Sequence, residues 1–498
     1  MSIWLWILLA VVVFLVVVAI YDLVQTRHAI LRNFPVVGHL RYLLERVGPE
    51  LRQYIVTNND EERPFSRDQR RWVYATAKKE NSYFGFGTDN DLDVDNYVIV
   101  RHSAFPLVAE DHAVAGGAKV MGAWRNRPHA FRPQSITNIS AMSFGSLSGP
   151  AIEALNRGAA IANCLHNTGE GGISAHHRHG GDLIFQLGTG YFGARDADGA
   201  FSMDSMLRSL QGAPVKAIEV ELSQGAKPGL GGLLPGGKVT RQIAEARGVP
   251  IGQTVASPAR HTAFGDVPSL VEFVESIAEA TGVPVGIKSA VGQEEFWREL
   301  AAHMGATGRG PDFVSVDGGE GGTGAAPLVF SDHVSLPFRR GFPVVYSAFA
   351  DEGLADHLVF VGSGRLGFAS EAVAAMAMGV DLIGVGREAM LAIGCIQAQE
   401  CHTGHCPTGV ATQSRWLTRG LDPTDKSVRC ANYIDALNHE LAKVAAATGN
   451  VHPALIEAHH VEIRGTDGRF VPVIENAGLD AAWFGGDRRR QLAAALDD

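Results

Sequence analysis

The sequence predicts an α/β fold: a (β/α)8 TIM barrel preceded by one N-terminal transmembrane helix. Two observations support this. From about residue 135 to 390, short runs rich in β-branched residues alternate with Ala-rich helical stretches, which is the pattern of repeated βα units. Before them, residues 3–20 are apolar without interruption, as in a membrane span. A doubly wound open sheet is the alternative arrangement of the same βα units.

Eight strands are expected in the βα region. They cover residues 136–142, 162–167, 217–222, 250–256, 283–289, 312–318, 357–363 and 381–386. Eight parallel strands in series close into a barrel, and the functional groups of such barrels cluster at the carboxyl ends of the strands. The polar side chains expected there are Ser143, Asn167, Lys288, Asp317, Ser363 and Arg387.

The apolar run at the N-terminus has the length of a bilayer. Residues 3–20 would form a helix of about 27 Å, close to the hydrocarbon thickness. No Lys or Arg precedes the run and no small-residue cleavage site follows it, which argues against a removable signal peptide. A buried core helix is the alternative, but such a helix seldom lacks a polar face. Arg27, Arg32, Arg41 and Arg46 follow, so we expect a single-pass protein of the inner (cytoplasmic) membrane with its catalytic domain in the cytoplasm.

Composition excludes some classes of partner. The formal net charge is -10, which argues against a nucleic-acid binder because phosphate recognition draws on a basic face. The five cysteines show no even spacing, so no disulfide framework is expected and a reducing compartment fits.

Three cysteines lie close together in the run CIQAQECHTGHCPTG. Cys395, Cys401 and Cys406 are separated by five and then four residues, and a proline follows the last. Crowded thiolates with a following proline are typical of iron–sulfur ligation, and three ligands favour a [3Fe-4S] cluster. A zinc site is the first alternative, since His402 and His405 lie inside the run. Three buried, inert thiols are the second.

The run GSGRLG, residues 362–367, matches GxGxxG after a predicted strand. A Rossmann site would place this loop at the first βα turn, whereas here it follows the seventh strand. In a barrel, the loops after strands seven and eight hold a phosphate through backbone N–H groups and a helix N-terminus. A single phosphate on a barrel favours FMN. The residues suited to that role are Gly362, Ser363, Gly364, Arg365, Gly386 and Arg387.

Lys288, at the end of the fifth predicted strand, would point at this cofactor. A lysine near the flavin pyrimidine stabilises the anion that forms on reduction. The alternative is a structural lysine paired with a carboxylate such as Asp317.

Glycine-dense runs at 167–172, 224–236 and 317–327 follow predicted strands. Glycine lets the backbone approach a ligand closely and adopt positive φ. The charged residues inside these runs, Glu170, Lys227 and Glu320, are therefore candidates for substrate contact. The histidines of SAHHRHGG could bind a metal, but a polar loop is the simpler interpretation.

Several motifs in the same order resemble the FMN-binding synthase domain of glutamate synthases. They are ISAMSFGSLSGPA, NTGEGG, QGAKPGLGG, LPGGKV, DGGEGGTGAAP, GREAMLAIGC and CHTGHCPTGVATQ. The resemblance covers roughly residues 80–445. It implies a barrel that binds FMN and a three-iron, four-sulfur cluster and that reduces the imine formed from 2-oxoglutarate and ammonia to glutamate.

The resemblance also implies roles for single residues. The three cysteines 395, 401 and 406 would ligate the cluster, and Cys430 would be a bystander. Met142 and Ser143 would lie beside the flavin ring, and Lys288 would meet its pyrimidine edge. The residues near the 2-oxoglutarate pocket would be Glu170, Lys227 and Arg247, and the expected catalytic residues are Lys288, Glu170 and Lys227.

Three positions depart from the family pattern. Glu221 stands for a lysine in EVELSQGAKPG, Leu233 for a glutamine in GGLLPG, and Tyr191 for an arginine in GTGYFGA. An anion in place of a cation disfavours a keto-dicarboxylate by electrostatics. The cofactors therefore transfer more directly than the substrate.

The expected domains are a transmembrane anchor (1–25), an Arg-rich region that packs on the barrel (26–105), the FMN barrel with its iron–sulfur loop (106–445) and a C-terminal extension (446–498) with a hairpin in VEIRGTDGRFVPVI. Glutaminase and NADPH domains are expected to be missing, so electrons would come from a partner such as ferredoxin or a reductase subunit. The alternatives are an FMN oxidoreductase with another substrate on the same barrel and a membrane-bound electron-transfer subunit.

Overall fold

The computed structural model describes residues 3–48, 62–108 and 116–497. Eight parallel strands form a closed barrel at its centre, as the βα alternation predicts. The barrel closes where β8 pairs with β1, with Ile383 opposite Thr137. In chain order the strands are β1 Thr137–Ile139, β2 His166–Asn167, β3 Leu183–Leu187, β4 Val215–Glu221, β5 Val285–Ser289, β6 Phe313–Asp317, β7 Val359–Ser363 and β8 Leu382–Val385.

One predicted strand was wrong and one real strand was missed. The third barrel strand is β3, which is buried along its whole length. The predicted strand at 250–256 lies outside the barrel, where only Val255–Ala256 pairs with Leu233–Leu234 in a small antiparallel sheet. Ile251 is exposed and Gly252 has a φ of +74°, so this segment is a turn rather than a buried parallel strand.

Helices surround the barrel. The longest, Pro423–Ala447, crosses Gly149–Ile161 so closely that a Cβ on Gly158 would lie 2.6 Å from the Cβ of Cys430. The α-helices are Ile3–Val24, Ala29–Asn33, Gly38–Arg46, Arg67–Ala77, Gly149–Ile161, Met203–Leu210, Arg241–Arg247, Val267–Thr281, Glu295–Thr307, Leu328–His333, Phe338–Asp351, Ala369–Ala377, Arg387–Ala392, Arg415–Thr418, Pro423–Ala447, Val473–Ala477 and Gly486–Asp497.

Segments from both ends of the chain meet in one small sheet. Val461–Arg464 and Phe470–Pro472 form the predicted antiparallel hairpin, and Val98–Val100 adds to its other edge. The N-terminal region also contacts the barrel helices, because Trp72 Nε1 donates a hydrogen bond to Glu440 Oε1 at 2.8 Å. The part of the Arg-rich region at 49–61 lies outside the described residues.

The apolar N-terminal run forms the helix Ile3–Val24. Its mean hydropathy is 3.2 over the most apolar window and none of that window is buried. In length and composition this helix is able to cross a membrane. A buried core helix, the alternative, is excluded by its exposure.

Candidate functional site

A polar network fills the barrel interior below the carboxyl ends of the strands. Glu219 accepts hydrogen bonds at Oε1 from Asn167 Nδ2 (2.7 Å) and Gln186 Nε2 (2.8 Å), and at Oε2 from Ser315 Oγ (2.6 Å). All four side chains are buried. The donors satisfy both carboxylate oxygens, as burial of a polar group requires. The network joins β2, β3, β4 and β6 into a fixed floor for the site.

Lys288 lies next to this floor and is bracketed by two carboxylates. Its Nζ is 3.0 Å from Glu221 Oε1 and 3.4 Å from Asp317 Oδ2, and all three side chains are buried. Burial alone would lower the pKa of Lys288, but Glu221, then Asp317 and Glu219, outweigh it and raise that pKa above its usual value. Lys288 is therefore a fixed cation at the end of β5, and its pairing with Asp317 is observed.

The loops after β1 and β2 are held together around Met142. His177 Nε2 donates to Met142 O (3.1 Å), and His177 Nδ1 accepts from Ser174 Oγ (2.9 Å). Burial lowers the pKa of His177 to about 4, so the ring is neutral in this arrangement. A Cβ on Gly169, whose φ is +64°, would lie 2.7 Å from Ser143 N. Met142 and Ser143 thus sit against the loop that follows β2.

That loop carries Glu170 into a charged pocket. Burial raises the pKa of the Glu170 carboxyl and nearby Glu221 raises it further, against the opposing charges of Arg247 and Lys227. Arg247 Nη2 donates to Phe144 O at 3.3 Å. The structure thus brings the three residues expected near the substrate pocket within electrostatic reach of one another.

The wall of this pocket includes one of the three departures, Glu221, whereas a second departure, Leu233, directly follows the lining residue Gly232. A small cavity is lined by Glu170, Glu221 and Leu230, among others. Leu233 lies in the neighbouring short strand and is 65% exposed. The pocket therefore combines two carboxyl groups with an apolar rim.

Tyr191, the third departure, binds neighbouring protein groups through its hydroxyl. Its hydroxyl accepts hydrogen bonds from the backbone N–H groups of Thr262 and Ala263 and is 3.1 Å from His261 Nδ1. His261 Nε2 in turn donates to Glu221 O at 2.8 Å. Burial lowers the pKa of His261, which keeps the ring neutral and able to accept from the tyrosine. Tyr191 thus fixes the strand end that presents Glu221.

Two guanidinium groups meet at the ends of β7 and β8. The guanidinium carbons (Cζ) of Arg365 and Arg387 lie 5.7 and 5.1 Å from the ring centroid of Phe65, so both arginines pack on this one residue of the N-terminal region. Burial lowers the pKa of Arg387, and the charge of Arg365 lowers it further against the effect of Glu388. Arg365 Nε is buried and has no hydrogen-bond partner among the described residues. These two cations fit a phosphate group, which would supply the missing acceptor and charge.

The loops after β6 and β7 approach closely beside these arginines. Gly364 has a φ of +125°, and a Cβ there would lie 3.2 Å from the backbone of Gly318. Glu320, a candidate for substrate contact, binds next to this loop: its backbone O accepts from Arg387 Nη2 at 2.5 Å and its carboxylate accepts from Phe338 N at 2.8 Å.

The three clustered cysteines share one loop between Arg387–Ala392 and Arg415–Thr418. Burial raises the pKa of Cys395 to about 12, with further contributions from Cys406 and Cys401. Burial and Cys406 likewise raise the pKa of Cys401. Thiols that raise one another's pKa lie within electrostatic reach of one another, and a bound metal would stabilise their thiolate forms. This donor set fits an iron–sulfur cluster.

The two histidines inside the cysteine run, His402 and His405, are exposed. Cys430 lies outside the run, in the helix Pro423–Ala447, and is buried against Gly158 of the helix Gly149–Ile161.

Sequence reasoning missed several residues of this site. Glu219, His177 and His261 were not selected as site residues. Glu219 carried a readable signal, because Glu219 and Glu221 are two acidic residues at alternate positions in the apolar run 217–222 and so lie on the same face of the strand. The hydrogen bonds of His261 and Tyr191 join positions 70 residues apart, which no local pattern indicates.

A closed βα barrel with its charged residues gathered at the carboxyl ends of the strands defines a barrel enzyme. The family model "Conserved region in glutamate synthase" matches residues 119–451. The chain belongs to this family of glutamate synthase-like oxidoreductases.

Similar proteins agree with this assignment. The glutamate synthase large subunit-like protein YerD of Bacillus subtilis is 36% identical over 91% of this chain and 93% of its own length. The archaeal-type glutamate synthase [NADPH] of a Thermotoga species is 36% identical over 62% of this chain, which spans 59% of that protein. A mandelate oxidase mutant with the monooxide FMN adduct overlaps 83% of this chain and 96% of its own, at 15% identity and a TM-score of 0.43.

Proposed function

We propose that the chain is a membrane-anchored oxidoreductase of the glutamate synthase type that uses FMN and a [3Fe-4S] cluster to reduce an imine. The observation that carries this proposal is the pair of guanidinium groups of Arg365 and Arg387. They lie where barrels bind a cofactor phosphate, and Arg365 Nε lacks a partner among the described residues.

FMN supplies hydride transfer to a carbon–nitrogen double bond when it is bound. The phosphate would be held by Gly362, Ser363, Gly364, Arg365, Gly386 and Arg387. Lys288 offers a permanent cation toward the ring, because two buried carboxylates keep it protonated. Met142 and Ser143 would line the ring from the loop after β1.

Glu170 is the residue we assign to proton handling. Its raised pKa means that this carboxyl holds a proton more readily than an exposed glutamate does. Arg247 and Lys227 are cations whose charges act on Glu170, and they would bind the carboxylate of a keto acid or its imine. Lys288, Glu170 and Lys227 remain our candidates for catalytic residues.

A substrate other than 2-oxoglutarate is the second candidate, and Glu221 favours it. The Glu221 carboxylate accepts a hydrogen bond from Lys288. The lysine of the family pattern would instead place a positive charge at this position. The cavity lining adds Leu230, whose side chain offers no hydrogen bond. A pocket of this kind fits an imine or carbonyl substrate with fewer negative charges than 2-oxoglutarate.

We assign the cluster to Cys395, Cys401 and Cys406. Soft thiolate ligands suit iron–sulfur clusters. Electrons would pass from a partner through the cluster to the flavin, and that partner would be ferredoxin, a reductase subunit or a donor at the membrane.

The apolar helix Ile3–Val24 would anchor the protein in the inner membrane. Near its end, buried Asp22 accepts from Val36 N at 2.8 Å and lies 2.9 Å from His39 Nε2. This clamp ties the apolar helix to the start of Gly38–Arg46. That short helix and its two flanking residues expose one apolar stripe, formed by Val37, Leu40, Leu43, Leu44 and Val47, which fits the boundary between headgroups and acyl chains.

The segment after the anchor also contacts the cysteine loop. Asn33 Nδ2 donates to Pro407 O and to Leu417 O, both at 2.9 Å. Trp416 Nε1 donates back to Asn33 O at 3.1 Å. Because Pro407 directly follows Cys406, we propose that the cluster lies close to the membrane surface and receives electrons there.

Rapid mixing of the reduced protein with candidate acceptors tests this function. Protein purified anaerobically in detergent is analysed for flavin and iron, reduced, and mixed with 2-oxoglutarate plus ammonia while flavin absorbance is followed. We expect one FMN and three irons per chain and reoxidation that requires both reactants. The control is 2-oxoglutarate without ammonia.

Three other outcomes separate the alternatives. FMN and iron without reoxidation would reject 2-oxoglutarate and leave a related imine or carbonyl acceptor. Reoxidation only by an electron carrier would identify an electron-transfer subunit. Absence of flavin from freshly isolated protein would reject the proposal.

A further inference from the structure

We propose that Glu153, His176 and His179 form a site for a divalent transition-metal ion such as Zn²⁺, separate from the cysteine loop. One ligand atom from each of the three residues lies within 4.8 Å of the others. Two imidazoles and a carboxylate are ligands that zinc commonly takes, with a fourth position left for water.

The distances are close to those of a tetrahedral centre. Glu153 Oε2 is 3.8 Å from His176 Nδ1 and 3.7 Å from His179 Nε2. Zinc bonds of about 2.0–2.2 Å place neighbouring tetrahedral ligands roughly 3.4 Å apart. Movements of a few tenths of an ångström would therefore close the site around an ion.

The carboxylate is already oriented for this role. Arg157, one turn along the same helix, binds Glu153 Oε1 at 2.7 Å. This contact leaves Oε2 directed at the two histidines. Neighbouring groups that bind a ligand residue in this way fix its orientation in metal sites.

The imidazoles are also held in place. His176 packs over Gly149, where a Cβ would lie 2.5 Å from its Nε2, and its ring centroid is 5.0 Å from that of Phe144. This packing leaves Nδ1 for the metal. The backbone of His179 is fixed to the same helix, because its N–H donates to Asn156 Oδ1 at 2.8 Å.

Solvent and ions reach the three side chains, which are 20–29% exposed. His177, between the two ligand histidines, points inward to Met142 instead. The ion would therefore fasten the outer side of the loop after β2 to the helix Gly149–Ile161. That loop carries Glu170, so metal binding would stabilise the loop that presents the proposed proton donor.

Zinc titration of the full-length flavoprotein tests the site. Protein is treated with a mild chelator, its iron is quantified before and after, and ZnCl2 binding is measured by calorimetry. We expect one zinc per chain, with affinity lowered at least tenfold in His176→Ala and in Glu153→Gln. His459→Ala is the matched control, because His459 is exposed and its Nδ1 lies 3.4 Å from the carboxylate of Glu457.

A second readout follows the loop itself. Hydrogen exchange of residues 167–181 is expected to slow on zinc addition in the parent and the control, and to be unchanged by zinc in the two site variants. Failure of the parent protein to bind zinc would overturn the proposal. Zinc binding that persists in both site variants would also overturn it, because the ion would then sit elsewhere, such as on the cysteines. Flavin content identifies any variant that fails to fold, and the other site variant then decides the test.

Discussion

At the scale of single residues, Lys288 owes its fixed charge to its neighbours. An isolated buried ammonium group is costly, and proteins retain one only with close carboxylate partners. Here Glu221 and Asp317 supply them from β4 and β6. Glu221, which stands where the family pattern has a lysine, is thus one of the residues that stabilise the charge of Lys288.

Removing Lys288 is expected to destabilise the protein more than removing Glu221. Lys288→Met leaves two carboxylates buried without their cation, which costs about 3–5 kcal/mol. Glu221→Gln leaves Lys288 paired with Asp317 and costs less. Thermal unfolding of both single variants and of the double variant measures this. The double variant should be more stable than Lys288→Met alone, and a Lys288→Met protein as stable as Glu221→Gln would contradict the ion-pair assignment.

The charges of this site could be predicted better than their partners. Lys288, Asp317 and Arg387 were placed at strand ends from the βα rhythm alone, because that rhythm fixes where each strand finishes. The contact between Lys288 and Glu221 depends on the register of β4 and β5, which are separated by more than 60 residues of chain. Composition and period do not encode that register.

His177 should make the fold sensitive to acid. Its pKa is about 4 in the folded protein against a usual 6.5, so between these values the unfolded chain binds a proton that the folded chain does not. Stability therefore falls as pH drops from 6.5 to 4, by up to about 3 kcal/mol for this group. Protonation of Nδ1 would remove the acceptor used by Ser174.

Thermal midpoints at pH 7 and pH 4.5 measure this effect. His166 is also buried with a lowered pKa and contributes to the loss in the same direction, so a variant isolates His177. His177→Gln is expected to be less stable than the parent at pH 7 but to lose less on acidification. His402→Gln, at an exposed position, is the control and should follow the parent. Equal acid losses in the parent and His177→Gln would disprove the assignment.

At the scale of elements, β3 shows what the strand pattern could not resolve. β3 is five residues long and buried throughout, and a short apolar run of this kind has no alternation to identify it. Residues 250–256 have the β-branched composition of a strand but form a turn and one strand of the small antiparallel sheet outside the barrel. The count of eight was correct because one error replaced the other.

Asn33 is expected to stabilise the cysteine loop from outside the barrel. Asn33→Ala removes the donor from Pro407 O and Leu417 O, and buried acceptors left unpaired cost about 1–3 kcal/mol each. We expect faster hydrogen exchange in residues 401–417 and faster release of iron to a chelator. Asn81→Ala is the control, because that side chain makes an exposed contact to Tyr83 N. Exchange unchanged from the parent would show that the contact does not restrain the loop.

At the scale of the whole molecule, parts distant in sequence are joined around the barrel. Phe65 covers Arg365 and Arg387 from the N-terminal region, and Tyr74 donates to Cys395 O at 2.8 Å. The region that follows the apolar helix thus reaches both the proposed phosphate site and the cysteine loop. Through these contacts, the proposed membrane attachment would be coupled to the proposed cofactor site.

Membrane attachment is expected to have two components. The helix Ile3–Val24 would hold the full chain in the membrane fraction through washes with high salt and with carbonate. A chain lacking residues 2–24 should still bind vesicles of anionic lipid, because the apolar stripe of Gly38–Arg46 and the arginines around it remain. In that shortened chain, Leu43→Asp with Leu44→Asp should abolish vesicle binding, whereas Leu328→Asp, at another exposed leucine, should leave it intact. Vesicle co-sedimentation measures each case.

Release of the full chain by carbonate would reject the spanning helix, and vesicle binding that survives both aspartates would reject the interfacial role of the short helix.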